Sequence, residues 1–285
     1  METALNLTGN LAIARQKATA KKPSRFFREA STVWAIMCRE VSVALKSPST
    51  LAMSLIMPIV MMGMIGGNLT QNMAGGLGFD LGLFMLVGMM INMLFTATSQ
   101  GVATLVDDNE ANFSEEMLIA PVSRLSIVSG KILGSSASAL ASMIGTLIVG
   151  AFMGITLTLG QFAAILALSP LICLSAGALM MIPIGLIKNR KAANMVSIII
   201  AMPQMFLSGA IIPIGNSTGI LKVISRIMPM TYSLDLARAA VYNGMPEYGA
   251  VVMFNPAVSI AATVAITVAC LTVGTFFYAR SEKNR

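Results

Sequence analysis

The sequence predicts an all-α membrane protein with six transmembrane helices. Of its 285 residues, 56% are hydrophobic and 11% are charged, whereas soluble domains contain about 25% charged residues. Apolar runs of about 18 residues or more recur along the chain, and each is long enough to cross a bilayer as a helix. Lysine and arginine are concentrated in some of the connecting segments, which is the pattern of a multi-pass membrane protein.

The basic residues also orient the predicted bundle. Segments 1–50, 106–131, 188–191 and 280–285 hold eight, two, three and three of the 19 Lys and Arg residues, and the other connections hold three. Because positive residues stay on the cytoplasmic side, both termini are predicted to be cytoplasmic. The net charge of +7 is then explained by topology, and no nucleic-acid partner is expected.

The N-terminal region divides into a tail and an amphipathic helix. Residues 1–24 are polar and are predicted to form a cytoplasmic tail. In residues 25–47 the apolar side chains, including Phe27 and Trp34, recur at helical spacing, and Arg39 is among the charged residues of the other face. A buried soluble helix would show the same stripe. The apolar span that follows favours a helix in the membrane interface, with lipid as a partner.

Six apolar segments are predicted to span the membrane: 51–67, 81–105, 132–157, 162–187, 192–212 and 256–278. A tight turn is predicted at Gly160. Prolines inside the first, fourth and fifth spans are tolerated because neighbouring helices can satisfy the freed backbone groups. Polar residues in the second and fifth spans are predicted to form interhelical hydrogen bonds, with lining of a transport pathway as the alternative. They are Asn92, Thr96, Gln204 and Ser208.

The third span carries a small residue at every fourth position. The series is Gly130, Gly134, Ser138, Ser142, Thr146, Gly150 and Gly154. This spacing lets two helix backbones approach closely, although chance in a helix rich in Ala, Gly and Ser is the alternative. Because four residues exceed one helical turn by about 40°, the stripe winds around the helix. It therefore cannot serve one straight partner throughout.

Segment 107–131 contains five of the 12 acidic residues. Two residues with capping side chains are each followed three positions later by a glutamate, which is the spacing of a capping box, and Pro121 would end the helix. Phe113, Met117 and Ala120 form one apolar face. The pattern predicts a short cytoplasmic helix that docks against a partner, with a solvated connecting loop as the alternative.

Residues 213–250 are too charged, and too often interrupted by proline and glycine, to cross a membrane. The capping and breaking residues predict two short helices, near residues 219–227 and 231–242. By the basic-residue distribution, this segment lies on the outer side.

The residues required for several chemistries are missing. The chain contains no histidine, which excludes histidine-based acid–base chemistry and histidine metal sites. The three cysteines have no paired spacing, and Gly130-Lys131 lacks the surrounding residues of a phosphate-binding loop. No ionisable residue lies deep inside a predicted span, where ion-coupled carriers usually need one. No catalytic residue, metal site or bound cofactor is predicted, and an external source of energy is expected.

Two stretches resemble the ABC-2 type transporter permeases. Residues 113–124, with Gly130-Lys131 beyond them, resemble the first cytoplasmic loop of that family. A second set resembles its motif around the fifth span and the outer re-entrant hairpin: Pro203, Phe206, Leu207, Ser208, Gly209, Pro213, Pro229, Tyr232, Asp235 and Arg238. The similarity extends from about residue 25 to residue 280.

The resemblance implies a permease subunit of an ATP-binding cassette exporter in a bacterial cell membrane. It implies a second permease chain, identical or related, and two cytoplasmic ATPase subunits that bind ATP and Mg. Residues 25–285 would form one transmembrane domain, in which 25–47 is the connecting helix, 107–124 the coupling loop and 213–250 the re-entrant hairpin. The drug and antibiotic resistance branch is the nearest in character, although polysaccharide and lipid exporters share the motifs.

Individual residues receive roles by the same resemblance. The coupling role falls on Phe113, Glu115, Glu116, Met117, Pro121 and Arg124, and the hairpin motif on Pro229, Tyr232, Asp235 and Arg238. The chain departs from the family pattern at Gly219, where many relatives have a proline, and in the upstream half of the loop, which lacks a basic residue.

An ATPase-independent channel, an ion-coupled secondary transporter and a membrane-embedded enzyme are the alternatives. A channel needs a selectivity filter and an enzyme needs convergent reactive groups; the sequence shows neither pattern. Co-purification with an ATPase subunit separates the exporter from these alternatives.

Overall fold

The computed structural model describes residues 25–47, 52, 56–67, 78–106, 124–187, 189–215 and 218–283. Every regular element in these ranges is helical, and none of the ranges contains a β-strand. The all-α prediction is confirmed for this part of the chain.

The helices follow one another as α1 Arg25–Lys46, α2 Leu81–Ala103, α3 Arg124–Phe152, α4 Leu159–Ile184, α5 Arg190–Leu207, α6 Gly219–Ile227, α7 Pro229–Val241, α8 Tyr248–Val251 and α9 Pro256–Lys283. A π-helical segment, Met61–Gly66, precedes α2. Helices thus occur where the sequence predicts the connecting helix and the two short helices of the outer segment. Their placement relative to a membrane stays a prediction.

Four stretches of the described ranges are long and apolar enough to cross a membrane: Leu81–Ala103, Val128–Phe152, Leu159–Ile184 and Tyr248–Phe277. A fifth, Lys191–Leu207, is apolar but shorter. The first predicted span, 51–67, lies partly outside the described residues. Four predicted spans therefore have a full-length helical counterpart, and the total of six stays a prediction.

The turn before α4 differs from the prediction. Gly160 lies inside α4, and the backbone takes a left-handed conformation at Gly154 instead, with φ of 82°. The cause is a capping box. The Thr158 hydroxyl accepts the N–H of Gln161, and the Gln161 side-chain oxygen accepts the N–H of Thr158. These bonds begin the helix at Leu159, before the glycine that was expected to break the chain.

Helix α2 lies at the centre of the bundle. It packs against α3, α4, α5 and α7, and large apolar side chains such as Leu86, Met90 and Leu94 are completely buried. A helix that is apolar on all sides is suited to such a position. In a membrane the surrounding lipid is as apolar as these side chains, so close packing rather than exclusion of water holds α2 in place.

Candidate functional site

Most of the predicted coupling loop lies outside the described residues. This applies to Phe113, Glu115, Glu116, Met117 and Pro121. Arg124 is described only as the first residue of α3, and Phe27 only as part of α1. The roles given to these residues stay predictions. What the structure does describe is the pair of helices next to that loop.

Helix α1 packs against the first part of α3 at two glycines. A Cβ atom built on Gly130 would lie 3.1 Å from the Cβ of Ile36 and 3.2 Å from the Cα of Val33. A Cβ atom on Gly134 would lie 2.6 Å from the Cβ of Glu40. Because side chains are missing at both positions, the two backbones approach closely, as the small-residue stripe predicts.

The stripe changes partner along α3. A Cβ atom on Gly150 would lie 2.5 Å from Leu86 of α2, and not against α1. This confirms that one straight partner does not serve the whole stripe. The last member, Gly154, has no atom within 4 Å of its built Cβ and lies in the turn after α3, so the packing role ends before it.

A buried ion pair joins α1 to α3. The Nζ atom of Lys131 lies 2.9 Å from Oε1 of Glu40, and the Lys131 side chain is 3% exposed. The same oxygen accepts a hydrogen bond of 3.0 Å from Nη1 of Arg39, one of the predicted connecting-helix residues. The Glu40 side chain therefore lies against α3. A lysine buried in a helix needs such a partner, because an unpaired buried charge is costly.

Trp34 takes no large part in this packing, since 64% of its surface is exposed. Ile36, two residues further on, is 6% exposed. The apolar residues of α1 are therefore divided between one group that meets α3 and another that remains available to lipid.

Three of the four predicted pathway residues are buried inside the subunit. Asn92, Gln204 and Ser208 are 4%, 2% and 1% exposed, and Thr96 is half-buried. The Asn92 amide lies 3.9 Å from the sulfur of Met230, and the Gln204 side-chain oxygen accepts the Met230 N–H at 3.2 Å. These contacts join α2 and α5 to α7.

Asp235 ties α7 to the beginning of α9. Its carboxylate accepts the backbone N–H groups of Met253 and Phe254 at 2.6 and 3.2 Å, and the Ser259 hydroxyl at 2.9 Å. Burial raises the pKa of this carboxyl, and the three hydrogen bonds act in the opposite direction. Three donors on one carboxylate satisfy the chain at the entry to α9, where helical hydrogen bonds are not yet available.

Arg238, one turn along α7, joins two other helices. Its Nη2 donates a hydrogen bond of 2.8 Å to the carbonyl of Gly209, just after α5. The guanidinium carbon lies 3.5 Å from the centre of the Phe84 ring in the first turn of α2. Burial lowers the Arg238 pKa to about 9, against the opposing effects of Tyr242 and Asp235. The side chain is therefore a cation at neutral pH, stacked on an aromatic face.

The position of Phe84 depends on the cap of α2. The Asp80 carboxylate accepts the N–H groups of Gly82 and Leu83 at 2.8 and 3.4 Å, which begins the helix three residues before the ring. No sequence pattern indicated that Phe84 meets Arg238. An aspartate directly before an apolar run is a capping signal that could have located the start of α2.

The hairpin between α6 and α7 is closed by hydroxyl groups. Thr231 and Tyr232 donate to the carbonyls of Ser225 and Arg226 at 2.6 and 2.7 Å, which satisfies the last carbonyls of α6. Pro229 begins α7, where its fixed φ suits the first helical position. The two short helices are therefore held as one unit.

Comparisons with known proteins identify the family of this chain. The profile of the ABC-2 type transporter family matches residues 31–242. Nodulation protein J of Rhizobium meliloti (strain 1021) is 26% identical over 198 residues, which cover 63% of this chain and 74% of that protein. Nodulation protein J of Sinorhizobium fredii (strain NBRC 101917 / NGR234) is 24% identical over 196 residues, with 62% and 73% covered.

A third relative, nodulation protein J of Neorhizobium galegae, is 24% identical over 214 residues, with 73% of this chain and 80% of that protein covered. The names of these relatives give no support to the drug-resistance branch. The family predicted from the two sequence motifs is confirmed: this chain belongs to the ABC-2 type transporter family and is a membrane subunit of a transporter.

Proposed function

We propose that the chain is the permease of an ATP-driven exporter, in which it forms the substrate pathway together with a second permease chain. ATP and Mg bind to two separate cytoplasmic ATPase subunits. Both termini of the permease are cytoplasmic, and segment 107–124 couples it to the ATPase. The single observation that carries this proposal is the joining of α1 to α3 directly beside that segment.

The contact supports coupling because it makes two helices respond together. Segment 107–124 leads into α3, and within two turns of its start α3 is held against α1 by Gly130 and Lys131. A push on the segment therefore displaces α1 and α3 as one body instead of bending α3 alone. A connecting loop that only reversed the chain would need no such bracing.

Apolar surface on the spanning helices supports a second permease chain. Met195, Ile198, Ile199 and Met202 of α5 are each more than half exposed. Contiguous apolar surface of this kind is covered by lipid or by another protein in a membrane. We propose that a second permease chain covers part of it, and that the two chains enclose the pathway.

The outer hairpin is proposed to dip into the outer leaflet. Ile220, Val223 and Ile227 of α6 are 78%, 59% and 66% exposed, and they lie at helical spacing on one short helix. Lys222 and Arg226 provide basic side chains next to this apolar surface. Such a helix is suited to the boundary between headgroups and acyl chains.

The test of coupling is Met117→Asp. Apolar anchor residues contribute most of the binding free energy of an interface. A carboxylate at the same position would be desolvated and unpaired, so we expect the ATPase to bind about 3 kcal/mol more weakly. We expect the ATPase to be lost from pull-downs and permease-dependent ATP hydrolysis in proteoliposomes to fall by more than about tenfold. Met117→Leu is the matched control and keeps both.

Export of ethidium and of a fluorescent-headgroup lipid by the wild-type complex distinguishes drug-like from lipid-like cargo. ATP-independent flux of either probe through the permease alone would support the channel or secondary-transporter alternative. Normal assembly and hydrolysis in Met117→Asp would contradict the coupling role of segment 107–124.

A further inference from the structure

Helix α5 is held very differently on the two sides of Pro203. Several residues after the proline are buried, with Gln204 2% exposed, Ala210 0% and Ile211 1%, although Phe206 is 42% exposed. Before the proline, Met195 and Ile199 are 66% and 65% exposed. The outer end of α5 is thus embedded in the protein, and its cytoplasmic part lies on the surface of the bundle.

The outer end is fixed by three contacts of different kinds. Gln204 accepts the N–H of Met230, and Arg238 donates to the carbonyl of Gly209. The Ala210 carbonyl lies directly on Gly88 of α2, since a Cβ built on Gly88 would be 1.9 Å from that oxygen. Together they fasten the end of α5 to α2 and α7.

Arg238 is central among these contacts because it joins both partners at once. Its guanidinium lies on Phe84 of α2 while it bonds the Gly209 carbonyl, and α7 itself is anchored to α9 through Asp235. Gly209 has φ of 86°, a left-handed conformation that ends α5 and turns its carbonyl toward the arginine.

The cytoplasmic part of α5 has a lighter attachment. It meets α4 through a strip that includes Ala193 and Ser197, and the Ser197 hydroxyl lies 3.8 Å from the sulfur of Met180. Pro203 lacks the N–H that would bond the Ile199 carbonyl, and helices bend readily at such a position.

Pro170 of α4 provides the contrast. It also lies inside a helix, but Ile165 before it and Ile172 after it are both completely buried. Leu166, before the proline, is 43% exposed, but α4 as a whole packs against α2, α3, α7 and α9. Pro170 therefore lies in a helix with several partners, whereas Pro203 lies in a helix whose preceding residues have a lighter attachment.

We propose that Arg238 is a positioning residue that fixes the outer end of α5, and that α5 bends at Pro203 so that its cytoplasmic part moves against this fixed end during transport. The inference rests on the proposed function, because the ATPase supplies the movement. The cytoplasmic part of α5 follows directly from the basic loop at residues 188–191, on the side where that movement enters.

Hydrogen–deuterium exchange of the full-length permease, in nanodiscs with its co-purified ATPase, tests the inference. In the wild type, trapping with ATP and vanadate is expected to change exchange in residues 190–202 and to leave residues 204–215 unchanged. Arg238→Lys keeps the charge but loses the planar stacking on Phe84. It is expected to raise exchange in residues 204–215 by about tenfold, with α3 unaffected and the ATPase still bound.

Pro203→Ala restores the missing helical hydrogen bond. It is expected to lower permease-dependent ATP hydrolysis by about fivefold or more, with assembly and the protection of residues 204–215 unchanged. Pro170→Ala is the matched control and is expected to remain within about twofold of the wild type. A selective loss in Pro203→Ala distinguishes bending from a general loss of stability.

Three results would overturn the inference: wild-type hydrolysis in Pro203→Ala, unchanged exchange of residues 204–215 in Arg238→Lys, or a nucleotide-dependent change that extends evenly across Pro203. Failure of the proposed function is a separate result, seen as an ATPase that neither binds the wild-type permease nor is stimulated by it. The proposed bending of α5 would then be contradicted as well. The proposed role of Arg238 in fixing the outer end of α5 would still be tested by hydrogen exchange of Arg238→Lys in the permease alone.

Discussion

The two ends of the bundle bury charge in different ways. At the end proposed to face the cytoplasm, Lys131 and Glu40 neutralise each other directly across two helices at 2.9 Å. At the end proposed to face outward, Asp235 accepts hydrogen bonds from backbone N–H groups and a hydroxyl, and Arg238 donates to a carbonyl and stacks on an aromatic ring. The first arrangement joins two side chains, and the second fastens the ends of three helices to a fourth.

The two ways of burying charge constrain the helices differently. A direct ion pair keeps two helices in register and depends on both partners. Charges bonded to backbone groups fix the chain at helix ends, where the main chain has unsatisfied donors and acceptors. The first end is therefore built to keep α1 and α3 together, and the second end is built to hold the termini of α2, α5 and α9 in one place.

Glycine contacts give the largest expected effects in this comparison. A Cβ at Gly88 would meet the backbone oxygen of Ala210 at 1.9 Å, and one at Gly134 would meet Glu40 at 2.6 Å. Gly88→Ala is expected to destabilise by about 4 kcal/mol because a backbone carbonyl must move, and Gly134→Ala by about 2 kcal/mol. Thermal stability of the detergent-solubilised protein, followed by size-exclusion chromatography, measures both.

Gly160→Ala is the control for both substitutions. Gly160 is helical and has no atom within 4 Å of its built Cβ, so alanine there is expected to be neutral or to stabilise by about 0.5–1 kcal/mol. A smaller loss of stability in Gly88→Ala than in Gly134→Ala would show that the turn after α5 adapts to an added Cβ more easily than the α1–α3 contact does.

Double-mutant cycles sharpen the contrast between the two charge arrangements. Glu40→Gln is expected to cost about 3 kcal/mol and Lys131→Met less, because Glu40 keeps its bond to Arg39. The double variant is expected to cost less than the sum of the two single variants. Asp235→Asn and Arg238→Met mainly remove different hydrogen-bond partners, although the two charges also attract each other. Their coupling is therefore expected to be weak, about 1 kcal/mol. Equilibrium unfolding in mixed micelles gives the two coupling energies required.

Additive effects for Lys131 and Glu40 would mean that the pair is not a functional unit. Strong coupling between Asp235 and Arg238 would mean that the outer end depends on their mutual attraction more than on their backbone partners. Either result would remove the distinction drawn between the two ends.

The sequence predicted well those features that depend on local pattern. Apolar runs predicted α2, α4 and α9, and the winding series of small residues in α3 predicted close packing with changing partners. Patterns of this kind are visible because helix geometry brings residues three and four apart onto one face.

Contacts between distant segments were not predictable in the same way. Glu40 and Lys131 are 91 residues apart, and nothing in the periodicity of α1 marked Glu40 as the partner of a lysine in α3. The contacts of Phe84 and Gly209 with Arg238 depend likewise on how helices are arranged in space. The turn predicted at Gly160 is wrong because the capping box at Thr158 determines where α4 begins.

The smallest expected effect concerns the hydroxyl of Tyr232, which closes the hairpin rather than anchoring it. Tyr232→Phe removes a hydrogen bond of 2.7 Å to the Arg226 carbonyl and keeps the ring that lies 5.4 Å from Phe254. We expect a loss of about 1 kcal/mol, because the freed carbonyl at this partly exposed site can bond to water.

The same variant also tests whether α6 and α7 move as one unit. If the hydroxyl serves only to close the turn, hydrogen exchange rises in residues 219–228 and not in residues 229–241, which Asp235 and Arg238 still hold. Tyr248→Phe is the control, since this tyrosine lies beyond the hairpin in α8. A rise across both helices would show that the α6–α7 turn, and not the buried charges of α7, fixes the outer end of the bundle.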